Sequence, residues 1–172
     1  MNALENIDQW KKISSTKGYA HEADDLLQRY EAIDFFKAHK SVLHLIPDAP
    51  GEVLDIGSGT GRDAGAFAKM GHRIIAVEPT KELRVPAMAL HPSTAIVWID
   101  DSLPELARLQ HYSGRFDLIW LSAVWMHLEE EQRRRAMKVV SRLVQKDGKV
   151  MISLVTGLFR RVGECLRSQM KK

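Results

Sequence analysis

Residues 53–61 read Val-Leu-Asp-Ile-Gly-Ser-Gly-Thr-Gly, an apolar run emptying into a turn that carries Gly57, Gly59 and Gly61. Glycine tolerates positive φ and lets another molecule approach the backbone closely, and the helix-like stretch that follows begins with free N–H groups. A strand, a glycine turn and a helix in that order constrain the fold strongly. They belong to alternating α/β architectures, where the turn lies at the carboxyl end of a parallel strand.

The rest of the chain repeats the alternation. Short β-rich runs stand at 53–56, 73–77, 95–99, 116–121 and 149–155, separated by helix-like stretches at 62–70, 80–90, 103–111 and 129–144. Strands alternating with helices imply parallel strands joined by crossovers. The runs are apolar on both faces, as strands are when helices cover both sides of a sheet. Pro86 should shorten or kink the second helix. The spacing therefore predicts a three-layer α/β sandwich with a mostly parallel sheet of at least five strands. Before Pro47, apolar residues from Ala23 to Ile46 recur at steps of three and four, which describes an amphipathic helical lead-in broken near residue 40.

Composition narrows the class. The 172 residues are 45% apolar and 27% charged with a net charge of +3, ordinary for one globular domain and too weakly basic to argue for nucleic acid on charge alone. No apolar run reaches membrane-spanning length, and the opening MNALENIDQW lacks the basic and apolar regions of a secretory leader, so a cytoplasmic protein without a membrane partner is expected. Cys165 is the single cysteine and the histidines are scattered, which leaves neither a disulfide nor a metal site in the reading.

The spacing of the turn discriminates among ligands. A dinucleotide fingerprint requires glycine where Arg62 stands, and Asp55, two residues before the first glycine, would repel a pyrophosphate. A carboxylate suits a cationic ligand better. Glu78 closes the second strand, where an acid can take both ribose hydroxyls, and Asp100-Asp101-Ser102-Leu103-Pro104 follows the third. Either aspartate could instead cap a helix beginning at Leu103. Arg62 and Asp63 read as surface or capping residues.

D-x-G-x-G-x-G after the first strand, Glu after the second, D-S-L-P after the third and FDLIWLSAVWMHL at the fourth resemble a class I S-adenosylmethionine-dependent methyltransferase over about residues 45–155. The resemblance implies a Rossmann-like fold and S-adenosyl-L-methionine as cofactor. By that resemblance Asp55, Gly57, Ser58, Gly59 and Gly61 hold its methionine part and Glu78 its ribose. Asp101, Ser102 and Leu103 lie beside the adenine, and Leu121 and Ser122 near the transferred methyl group. His127 is the candidate base. Trp125 and Met126 could wall an acceptor pocket or simply belong to the core, and Tyr19 and Tyr30 could close over the cofactor.

The family adds two antiparallel strands after the fifth, but the 17 residues beyond Val155 do not read as strands. Leu158, Phe159, Val162, Leu166 and Met170 have helical spacing among five basic residues, which predicts a short amphipathic C-terminal helix. The expected organisation is one methyltransferase-like domain, with a helical cap (1–46), a cofactor-binding core (47–156) and a basic tail (157–172). The tail, a second subunit or another partner is expected to cover the fifth-strand edge. Without the N/D-P-P-[FYW] sequence of many amino-group methyltransferases, a small-molecule acceptor is the preferred reading. The alternatives are a truncated, non-catalytic module that binds S-adenosylmethionine or S-adenosylhomocysteine and acts through a partner, an RNA methyltransferase using the basic tail, and a nicotinamide-dependent oxidoreductase.

Overall fold

Each of the five β-rich runs forms a strand, and all of them run the same way. The computed structural model describes residues 23–154. Strands β1 (Glu52–Ile56), β2 (Arg73–Val77), β3 (Ile96–Ile99), β4 (Phe116–Ser122) and β5 (Val144–Ser153) form one parallel sheet in the order β3-β2-β1-β4-β5. The helices between them are α3 (Arg62–Lys69), α4 (Lys81–Leu90) and α5 (Glu130–Leu143). Ahead of the sheet lie α1 (Ala23–Glu31), the single turn α2 (Phe35–Ala38) and a 3-10 turn at Leu43–Leu45, so the lead-in is helical as expected. It breaks twice, around Ala32–Asp34 and again after His39.

Side chains alternate across a strand, and this sorts the core into two layers. Leu54, Ile56, Ile75, Val77, Ile119 and Leu121 meet Ala136, Val140 and Leu143 of α5 on one face. Val53, Ile74, Ala76, Leu118 and Trp120 meet Ala64 and Phe67 of α3 and Phe35 of α2 on the other. Asp55 shares the parity of Val53, so it belongs to the α2–α3 side, and its register partner on β4 is Trp120. Phe67 stands edge-on to Trp120 at 5.2 Å between ring centroids and to Phe35 at 5.4 Å. The lead-in is thereby bound into the main core.

Three local expectations need correction. Residues 103–111 do not form a helix: only Ala107–Leu109 makes a 3-10 turn, preceded by Leu106 at φ 44°. The Asp101 carboxylate organises this stretch instead, accepting the amides of Ser102 at 2.8 Å and Arg108 at 2.7 Å. Next, α4 runs through Pro86 to Leu90, so of the two effects expected of the proline, shortening does not occur. Finally, β5 begins at Val144, not 149, because Val144 already pairs with Phe116. The register then shifts, and pairing resumes with Lys149 opposite Leu118. The predicted C-terminal helix, Tyr19 and Cys165 lie outside the described residues. No helix among the described residues is long and apolar enough to cross a membrane.

Candidate active site

In a parallel sheet every strand ends on the same side, so the residues after β1, β2, β3 and β4 share one rim. The strand order reverses between β1 and β4, and ligands of open α/β sheets bind at such a reversal. The glycine turn stands there. Gly57 and Ser58 donate their amides to Val77 O of β2 at 2.8 and 3.0 Å, and Gly61 closes the turn on Ser58 O at 2.9 Å.

The three glycines do different work. All have positive φ. A Cβ at Gly57 would lie 2.5 Å from Val124 of the segment after β4, and one at Gly61 would lie 2.6 Å from Trp98 and 2.9 Å from His91. These two are bare so that neighbouring elements can close in. Gly59 has nothing within 4 Å of its Cβ direction. Of the three, it alone presents backbone to open space.

Around Gly59 stand two buried carboxylates. Asp55 is 1% exposed. It receives an amide hydrogen bond from Ala64, and its Oδ2 has no partner. Burial first, and then the charge of Asp63, push its carboxyl well above the ordinary range. Glu78 is 5% exposed. It accepts the amide of Gly59 on Oε2 at 2.9 Å and that of Thr80 on Oε1 at 2.8 Å. Burial raises its carboxyl too, against the opposing pull of the Thr80 and Gly59 donors.

The other predicted residues are distributed along the same rim. Asp101 is buried beyond β3, with both oxygens engaged by its own loop; burial raises its carboxyl while those amides oppose the shift. Ser102 is half-buried and Leu103 is part of the core. Asp100 is the exposed one of the pair and meets Arg84 at 2.7 Å. Leu121 is buried in β4, Ser122 is half-buried at its end, and the next amide, of Ala123 at φ 58°, donates to Ser153 Oγ at 3.1 Å. His127 closes the 3-10 turn Trp125–His127, half-buried, its imidazole pushed below the ordinary value by burial. Trp125 packs against the core. Tyr30 packs with Leu27 on Leu83 of α4.

Two clusters behind the turn were not anticipated. Asp63 is buried, not a surface cap, and gathers Arg62 at 2.7 Å, His39 Nε2 at 2.9 Å and Trp120 Nε1–H at 2.9 Å. Burial pushes its carboxyl up, but the His39 hydrogen bond and the Arg62 charge outweigh it and hold the group below the ordinary range. The sequence signal available was the indole of Trp120, whose N–H needs a partner once buried in a strand. In the second cluster, Thr60 donates its hydroxyl to Glu31 of α1 at 2.6 Å, and His91 Nε2 lies 3.3 Å from the same carboxylate.

A family model for the methyltransferase domain matches residues 54–152. A protein of Alkaliphilus oremlandii described as an uncharacterized methyltransferase is 26% identical over 150 residues, 86% of this chain and 64% of its own length. The chain spans 55% and 63% of two further relatives from Bacillus species. Among solved structures, the Burkholderia thailandensis 1,6-didemethyltoxoflavin-N1-methyltransferase, bound to 1,6-didemethyltoxoflavin and S-adenosylhomocysteine, superposes with a TM-score of 0.66 at 20% identity, covering 84% of this chain and 62% of that one. A Haemonchus contortus phosphoethanolamine N-methyltransferase, in complex with phosphoethanolamine and S-adenosylhomocysteine, gives 0.65 at 19% identity, covering 87% and 32%. With a matched segment that runs from β1 into β5 and holds the glycine turn and every strand end of the rim, the chain belongs to the methyltransferase domain family and has its Rossmann-like α/β fold.

Proposed function

We propose that this chain binds S-adenosylmethionine along the rim of β1 to β4 and catalyses methyl transfer to a small-molecule acceptor. One observation carries the reading: a buried carboxylate with an unpartnered oxygen, Asp55 Oδ2, stands at the glycine turn whose Gly59 faces open space. A buried, unpaired carboxylate is costly. A ligand that brings a cation to it recovers that cost, and the α-ammonium group of S-adenosylmethionine is such a cation.

The remaining residues fit the other parts of the cofactor. Glu78, with an oxygen on either side of its carboxyl, suits a ribose diol, and the Gly59 amide it now holds lies beside it. Asp101, Ser102 and Leu103 would line the adenine side, Gly57, Ser58 and Gly61 the loop beneath, and Leu121 and Ser122 the end nearest the methyl group. When bound, the cofactor supplies a methyl group already activated on a sulfonium. The protein's part is then chiefly orientation, bringing the acceptor atom into line with the methyl–sulfur bond. His127, half-buried after β4 with its imidazole pushed below the ordinary value by burial, is the residue we propose takes a proton from an acceptor oxygen or nitrogen. The small-molecule preference is supported by the two structural neighbours, whose bound acceptors are both small.

The test is calorimetric titration with S-adenosylhomocysteine, followed by tritium transfer from labelled S-adenosylmethionine into a panel of small acceptors. Binding together with transfer that falls in His127→Gln supports the proposal. Binding without transfer to any acceptor, RNA included, would favour a module that only holds the cofactor.

A further inference from the structure

The cofactor reading places a cation beside Asp55, and the inference that follows rests on that reading. Asp55, Asp63 and Glu78 surround one end of the glycine turn, and all three are buried. Among the described residues the charged groups acting on Asp55 are Asp63 and Arg62 from the start of α3 and Glu78 from the end of β2. His39, the C-cap of α2, bonds Asp63. Two guanidiniums and one imidazole serve the three carboxyls: Arg62 and His39 are bonded to Asp63, Arg84 acts on Glu78, and among the described residues no cation is bonded to Asp55.

The donors show which carboxyl is left over. Asp63 receives Arg62, His39 and the Trp120 indole. Glu78 receives the amides of Gly59 and Thr80, one on each oxygen. Asp55 receives only the Ala64 amide and leaves Oδ2 without a partner. An ionised carboxylate in that setting would be desolvated, half-bonded and next to a second negative charge. Neutralising it by a proton removes the first and third of these costs at once.

We propose that the site exchanges a proton for its cation: Asp55 is a carboxylic acid in the free protein, and the arriving ammonium group converts it to a carboxylate, its proton leaving to solvent. Charge is conserved in the exchange, one positive charge entering and one leaving. The upward displacement of the Asp55 carboxyl by burial and by Asp63 points the same way. The affinity for a cofactor bearing an ammonium therefore rises with pH, by up to about tenfold per unit, until Asp55 ionises unaided.

Two measurements on the full chain test this. Infrared difference spectra between wild type and Asp55→Asn at neutral pH should show the carbonyl stretch of a protonated carboxylic acid in the free wild-type protein. Calorimetry with S-adenosylhomocysteine in two buffers of different protonation enthalpy should show release of close to one proton, with none for adenosine, which lacks the ammonium. Absence of the acid band, or equal binding heats in the two buffers, would overturn the exchange. Failure of S-adenosylhomocysteine to bind a protein that shows the band would overturn the cofactor reading and the exchange with it, and the band separates that outcome from an error about the acid.

Discussion

Glu78 accepts the amide hydrogen of Gly59 at 2.9 Å, so the acid that ends β2 holds the open glycine of the turn that follows β1. The acid proposed for the ribose and the loop proposed for the methionine part are thus one bonded unit. A diol entering this site must share Glu78 with Gly59 or displace it.

Gly59 has positive φ but free space, which separates its role in binding from its role in packing. Gly59→Ala should cost about 1–2 kcal/mol of stability from the left-handed backbone alone. Its methyl group would fill the space proposed for the cofactor, so affinity for S-adenosylhomocysteine should fall by roughly tenfold or more beyond that. Chemical denaturation and calorimetry on the same sample separate the two effects.

Gly65 is bare for a different reason. It lies within α3 at ordinary helical φ, yet an added Cβ would sit 2.4 Å from His91 Nδ1. Alanine there gains helix propensity of roughly 1 kcal/mol but meets an overpacked ring costing about 1–3 kcal/mol. Gly65→Ala should destabilise wild type and stabilise the His91→Ala variant. A change of equal size and sign in both backgrounds would refute the contact.

Asp63 ties α2, α3 and β4 together through His39, Arg62 and Trp120. Asp63→Ala leaves a buried indole N–H and two basic side chains without their acceptor, a loss of about 3–5 kcal/mol for a broken buried pair. Urea unfolding followed by tryptophan fluorescence should report it. His39→Ala should cost less, since Arg62 and Trp120 still bind the carboxylate.

The Asp55 carboxyl is raised in the fold, so the folded protein holds its proton to higher pH than the unfolded chain does. Its contribution is fully present below the unfolded value near 4 and is lost as pH rises through the raised folded value. Asp55→Asn removes that loss. Its stability should exceed that of wild type at pH 8 and fall closer to it at pH 5, while S-adenosylhomocysteine binding weakens. Thermal melts across that range check the sign.

What the sequence made legible follows from how local each feature is. The strands are near-continuous apolar runs, and the glycine turn, Asp55 and Glu78 each lie at the end of one, so fold class and rim could be read directly. Residues 103–111 look helical by composition, yet Asp101 bonds the amides of Ser102 and Arg108 and stabilises a loop in its place. No window of helix length reveals that competition. Asp63 was illegible for a related reason: His39 and Trp120 are distant in sequence and meet it only when the sheet forms. The register slip at the start of β5 depends in the same way on Phe116 of the neighbouring strand.

The central claim is that Asp55, Gly59 and Glu78 form one cofactor site, and calorimetric titration of S-adenosylhomocysteine into wild type and Glu78→Ala tests it most directly. The account predicts saturable binding by wild type and an affinity lower by roughly 10- to 100-fold in the variant, the range expected for hydrogen bonds to a charged acceptor. Equal affinities in the two proteins, or no binding by folded wild type, would contradict it.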